Sequence, residues 1–156
     1  MNEPPPAELL RRLTPIPTYR GHPATTPHDV TGVDPIGRPL HVEILREGRP
    51  VLLLFLSAAC LGCHDLWDGL SGLRAALTPD SRLVVVTRGP DDEDAAAIAA
   101  LSHAEVPTVM SSRAYADYQV GGPPFLVVVD AEQVRTEGVA WGVEETLRVT
   151  RAALSG

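Results

Sequence analysis

The sequence is short of cysteine and of aromatic residues, with two cysteines and 4% Phe, Trp and Tyr in 156 residues. Two cysteines lying three apart exclude the disulfide framework by which small secreted domains make up for a thin core. The scarcity of rings leaves the core to Val, Leu and Ile, which dominate a hydrophobic content of 44%. Basic runs are also missing, and the formal net charge is -7. Phosphate backbones are held by concentrated Lys/Arg faces, so nucleic acid is not an expected partner. The opening residues, Met-Asn-Glu-Pro-Pro-Pro-Ala-Glu-Leu-Leu-Arg-Arg, contain no apolar run of the length a secretory signal or a membrane span needs. A soluble, cytoplasmic protein with no membrane partner is expected. Internal repeats are absent.

What is present is enough chain for one domain with a proper core and too little for two. Residues 1–27 hold Pro4, Pro5, Pro6, Pro15, Pro17, Pro23 and Pro27. Proline removes backbone donors and forbids long regular elements, so this stretch reads as an extended N-terminal arm, with one short helical turn around Ala7 to Leu13. Residues 28–156 form the domain.

Within the domain, Val30 to Val33 and Leu40 to Ile44 flank a turn at Asp34-Pro35-Ile36-Gly37-Arg38 and read as a hairpin. Val51 to Phe55, extended by Leu56, is a continuous apolar run, the pattern of a strand buried on both faces. Small residues Ser57, Ala58 and Ala59 follow, then the two cysteines, then Leu66, Trp67, Leu70, Leu73 and Leu77 at helical spacing. Further strands are expected at Leu83 to Thr87, Val106 to Met110, Phe125 to Val129 and Val134 to Val139. Helices are expected at Ala95 to Leu101, Arg113 to Tyr118 and Glu144 to Leu154. Asp91 to Asp94 read as acids that complement the dipole of the Ala-rich helix they precede, and they are given no chemistry. Trp67 and Trp141 read as core or groove packing residues. Strands alternating with helices and bounded by hairpins imply an α/β fold, a central mixed sheet between two helical layers.

The chemistry lies in Cys60-Leu61-Gly62-Cys63. A cysteine where a strand hands over to a helix meets unpaired backbone N–H groups and the positive end of the helix dipole, which favour a thiolate. Cys60 is therefore the expected nucleophile. Cys63, one turn on, can attack the mixed disulfide that forms and is the expected resolving thiol. His64, four residues after Cys60, lies within helical reach of it and is a candidate modulator of the thiolate, with a plain surface histidine as the alternative. Cys60-Leu61-Gly62-Cys63-His64 also spells a c-type haem attachment motif. A zinc site would have to recruit His22, His28, His41, His64, His103 or an acid, none at ligand spacing from another. Two inert buried residues are the remaining alternative. The leading reading needs no cofactor and no metal.

The apolar strand with its C-x-x-C, the Leu83 strand and the segment Tyr118-Gln119-Val120-Gly121-Gly122-Pro123-Pro124-Phe125-Leu126-Val127-Val128-Val129-Asp130 resemble the thioredoxin superfamily. Within it they resemble the TlpA-like thiol-disulfide oxidoreductases, over roughly Val30 to Leu154. The resemblance implies a thioredoxin-like three-layer α/β/α sandwich. It also implies a cis proline facing the dithiol, which the motif places at Pro124. Pro107, in Val106-Pro107-Thr108, is the rival, but only Pro124 opens a strand that returns as a hairpin before the last helix.

Substrate contacts are thereby implied at Leu61, Gly62, Pro123 and Pro124. Pro123 occupies a position that often lends a backbone N–H to substrate in the family, and proline has none. The family's tryptophan before the first cysteine is Ala59 here, and its buried strand acid falls at Leu54. His64, Asp65 or a water are the candidates left to take the proton of Cys63.

The function implied is thiol-disulfide exchange with a disulfide-bearing protein or small molecule, sustained by an electron-donating reductant. Two other readings stand beside it. One is a binding module with a vestigial dithiol. The other is a thiol peroxidase, for which Ser57 matches the residue three before the reactive cysteine and Leu53 departs from the proline seven before.

Overall fold

The computed structural model describes residues 25–155. The expected helical turn at Ala7 to Leu13 and the arm up to Pro23 lie outside the described residues. At the near end, the buried Thr25 hydroxyl donates to Glu137, and Tyr118 brackets the His28 backbone, accepting from its N–H and donating to its carbonyl.

The hairpin β1 (Val30–Val33) and β2 (Pro39–Val42) comes first, followed by β3 (Val51–Phe55). A 3-10 turn at Leu61–Cys63 leads into α1 (His64–Asp68) and α2 (Leu70–Ala76). Then come β4 (Arg82–Thr87), α3 (Ala95–Leu101), β5 (Thr108–Met110) and α4 (Ser112–Asp117). The hairpin β6 (Phe125–Val129) and β7 (Val134–Val139) precedes the closing helix α5 (Val143–Ser155). The strands make one mixed seven-stranded sheet in the order β2-β1-β5-β4-β3-β6-β7. β3 runs parallel to β4 and antiparallel to β6.

All five residues of β3 are buried, which explains why its sequence shows no alternation. Leu52, Leu54 and Leu56 face a cluster built with Leu66, Trp67, Leu70 and Leu73 of α1 and α2, Ile98 of α3 and Val149 of α5. Val51, Leu53 and Phe55 face the other cluster, with Ala114 and Tyr115 of α4 and with Ile44, which follows β2. The period of two divides one apolar run between two cores. Each fully buried Leu contributes on the order of 2 kcal/mol. The α/β architecture with helical layers on both faces is the one the alternation of elements implied.

Two side chains fix the loops. Asp94 caps α3, accepting from the N–H groups of Ala96 and Ala97 at 3.0 and 3.3 Å. The acids therefore precede the helix, with Asp94 as its cap, and do not sit in its first turn. Asp130 turns β6 into β7, accepting from the Glu132 and Gln133 N–H groups and from Arg135 Nε at 2.7 Å. Burial pushes the Asp130 carboxyl up, but these hydrogen bonds outweigh it and hold the group below its usual value.

Candidate active site

The segment leaving β3 is tied down residue by residue. Leu56 donates its N–H to Val86 at 3.0 Å and accepts the Tyr115 hydroxyl at 3.1 Å. The Ser57 carbonyl accepts the Trp67 indole N–H at 3.1 Å, and the Ser57 hydroxyl accepts the Ala59 N–H at 3.3 Å. Cys60 follows in an extended conformation, φ -90° and ψ 116°, and its carbonyl accepts the Cys63 N–H at 3.1 Å. A strand end anchored on three sides thus delivers Cys60 to the start of the turn.

The helix that follows is not the single element its spacing suggested. The 3-10 turn passes into α1, which ends at Asp68, and α2 restarts at Leu70. The break falls at Gly69, where a Cβ would stand 2.6 Å from Val143 Cγ2 and 3.1 Å from the Asp65 carbonyl. The bare glycine admits the first residue of α5 into the bend. Cys60 consequently caps a three-residue turn backed by a short helix.

The two thiols are free and within side-chain hydrogen-bonding distance of each other. Cys60 is partly exposed, whereas Cys63 is fully buried beside Leu54 and Leu66. Burial pushes the Cys63 thiol far up, and its hydrogen bond with Cys60 adds to that. The Ser57 backbone N–H at the Cys63 sulfur opposes the rise, while the charges of Cys60 and Glu93 increase it. The strand position at Leu54 is apolar, with no acid beneath the pair.

The peptide bond between Pro123 and Pro124 is cis. β6 begins at Phe125, paired opposite Phe55, which carries Pro124 across to the cysteine turn. A Cβ built on Gly62 would lie 3.6 Å from Pro124 Cδ and 4.0 Å from Cys60 Sγ, so Gly62, Pro124 and the nucleophile face one another. The Pro124 carbonyl accepts the Ala140 N–H at 3.1 Å, which draws the neighbouring Trp141 to the same rim. Pro107 sits at the start of β5, its carbonyl bonded to the Val85 N–H.

Of the remaining site residues, Leu61 is 86% exposed and Trp141 64% exposed. Trp67 is core, as its spacing implied, but Trp141 is not. Its place after β7 and before Gly142, whose φ is +90°, puts it in a tight turn on the surface. His64 and Asp65 are exposed at the start of α1.

Sequence reasoning missed three contributors. The Ser57 amide carries no side-chain signal. Tyr115 is buried under Arg88, whose guanidinium lies 4.3 Å from the ring centroid and donates to the Gly121 carbonyl at 3.4 Å. Burial pushes the Tyr115 hydroxyl up; Arg88 opposes this, and Cys63, Glu93 and Cys60 reinforce it. Glu93 was one of four acids read together. Asp94 caps α3 and Asp92 accepts the Ser112 hydroxyl at 2.8 Å, whereas the charge of Glu93 reaches Cys63. Among the described residues, no three His, Cys, Asp or Glu side chains cluster to hold a metal.

This architecture is the thioredoxin-like fold with a C-x-x-C pair at disulfide distance. The chain is similar to a secreted disulfide oxidoreductase of Mycobacterium tuberculosis homologous to E. coli DsbE, with 18% identity and a TM-score of 0.63. That match covers 81% of this chain and 96% of the other. It is similar to a thiol:disulfide interchange protein of the thioredoxin family from Chlorobium tepidum, at 21% identity and a TM-score of 0.61, covering 86% and 97% of the two chains. StoA from Bacillus subtilis matches at 15% identity and a TM-score of 0.60, over 81% and 98%. No family model and no curated protein matches the sequence.

Proposed function

We propose that this protein is a thiol-disulfide oxidoreductase acting through Cys60 and Cys63. The observation that carries the reading is the asymmetry of the pair: a partly exposed sulfur facing Pro124, in contact with a second sulfur that is fully buried. As thiolate, Cys60 attacks one sulfur of a substrate disulfide; a Cys60–substrate bond forms and the first substrate thiol leaves. Cys63 then attacks Cys60, the intramolecular disulfide closes and the second substrate thiol leaves. Two electrons pass to the substrate, and the two dithiol protons end on its two thiols. A dithiol reductant restores the pair, and no cofactor or metal is needed for the balance.

The substrate is a disulfide-bearing protein or a small disulfide. An extended segment would lie beside Pro123 and Pro124, neither of which has an N–H to offer, and the Pro124 carbonyl already accepts the Ala140 N–H, so pairing there relies on the Pro123 carbonyl. Leu61 and Trp141 give the rim an apolar character suited to a protein surface. In a reducing cytoplasm the direction is reduction.

Insulin-disulfide reduction with dithiothreitol as donor tests the proposal. Wild type is expected to accelerate precipitation of the B chain and Cys60→Ser to abolish the acceleration. Equal activity in both would reject the assignment.

A further inference from the structure

β4 and β2 are separated by two strands in the sheet, yet Ser81 to Val84 and Leu40 to Glu43 line the same cavity, of about 470 Å³. The reason is the length of β5. It has three residues and begins at Thr108, opposite Val85, so on the β5 side of Arg82 to Val84 no described strand fills the row. β1 meets β5 through the pair Val33 and Met110, and the β1–β2 hairpin forms the far wall.

Into this gap converge Arg49, Arg74 and Arg82, with the hydroxyl-bearing Thr78 and Ser81 between them. The chain has no lysine; its thirteen basic residues are all arginine, and three meet here although the net charge is -7. Two acids, Glu43 and Glu105, share the lining, and the charges of Glu43 and Glu47 act on Arg82. Glu47 pairs with Arg49 at 3.2 Å, and the Glu105 carboxylate accepts the Ser71 hydroxyl. Glu43 meets Arg82 through its backbone carbonyl, which accepts from one terminal guanidinium nitrogen. Arg74 makes no direct ion pair among the described residues, and its charge acts on Glu105.

Arg82 is the decisive member. Its Nε is buried and has no hydrogen-bond partner. A buried donor of a charged group left unpaired is costly, and with one terminal nitrogen spent on the Glu43 carbonyl, the other is the donor that Arg82 can turn to an anion in the cavity. We propose that this cavity is a binding site for a small, multiply charged phosphate-type oxyanion, held by Arg82 with Arg74 and Arg49 across the opening. Burial pulls the Arg82 guanidinium below its usual value; Arg49 adds to this, and the charges of Glu47 and Glu43 oppose it. The volume exceeds that of a single phosphate and falls within the range of small-ligand sites. The site lies at the Val51 and Arg82 end of the sheet, opposite the end from which β3 leads to Cys60, so it is independent of the thiol chemistry.

Titration of inorganic pyrophosphate into the full chain at constant ionic strength, followed by calorimetry, tests this. Saturable binding at one site is expected, weakened at least ~10-fold by Arg82→Gln and by Arg74→Gln. Arg74 is exposed, so its variant keeps the test valid if Arg82→Gln does not fold. Arg113→Gln, on α4, is expected to bind as wild type does. Absence of saturation by about 10 mM, or unchanged affinity in both cavity variants, would overturn the proposal. So would an equal loss in Arg113→Gln. Tighter binding of citrate than of pyrophosphate would overturn the phosphate class.

Discussion

Trp67 donates its indole N–H to the Ser57 carbonyl at 3.1 Å, and the backbone N–H of the same Ser57 holds the Cys63 thiol down against the effect of burial. One residue of the strand-to-turn loop thus joins the largest core side chain to the buried thiol. Trp67→Phe keeps most of the packing and loses the hydrogen bond. Urea unfolding is expected to show a loss of about 1–2 kcal/mol. Trp67→Ala is expected to cost about 3–5 kcal/mol. A neutral Trp67→Phe would show that the loop is held without the indole.

The buried thiol also sets a pH dependence. Cys63 keeps its proton in the folded protein at pH values where an unfolded thiol, ionising near about 8.5, has lost it. The folded state then binds more protons than the unfolded one, so stability of the reduced protein falls as pH rises. The urea midpoint of wild type relative to Cys63→Ala is expected to decline between about pH 8 and about pH 9.5. Tyr118, pushed up to about 12 chiefly by burial, enters only above that window. Glu93→Gln removes a charge that raises Cys63 but leaves burial to keep the folded thiol protonated throughout that window, so the decline is expected to be unchanged. Parallel curves for wild type and Cys63→Ala would count against the burial of this thiol.

At the bend between α1 and α2, Gly69→Ala is expected to destabilise by about 1–3 kcal/mol, because the new Cβ meets the Val143 side chain and the Asp65 carbonyl. Val143→Ala in the same chain opens that space. The double variant is expected to lose less than the sum of the two single losses. Additive losses would place the strain of Gly69→Ala on the carbonyl alone.

Leu61 and Trp141 touch little of their own protein. Their alanine variants are expected to melt within about 0.5 kcal/mol of wild type, as surface changes do. Turnover of insulin is nevertheless expected to fall several-fold in Trp141→Ala, with reduction of a small aromatic disulfide unchanged. Equal loss on both substrates would mean that Trp141 shapes the dithiol and not the protein contact.

Most of the frame was legible because strands buried on both faces write themselves as apolar runs: β3, β4 and β6 lie within a residue or so of where Val51, Leu83 and Phe125 placed them. Helix α3 was legible through its Ala-rich run. The dithiol was legible because cysteine is rare and the pair follows a buried strand. The break at Gly69 was not, since its cause is Val143, seventy-odd residues away. Trp141 misled for a related reason: a tryptophan's hydrophobicity is visible in the sequence, but its exposure depends on a turn set by Gly142. Glu93 was hidden among like neighbours, and only the fold of the β4–α3 loop separates a cap, a hydroxyl acceptor and a charge that reaches sulfur.

β3 and β4 run in the same direction, so the sheet has two chemically different poles. Five residues of strand at about 3.3 Å each put roughly 16 Å of aliphatic interior between them. Sulfur stands at one pole and guanidinium at the other. A molecule seated beside Arg82 leaves the approach to Cys60 open, and a protein docked over Cys60 leaves Arg82 uncovered, so the two ends can be occupied at once without either guest touching the other.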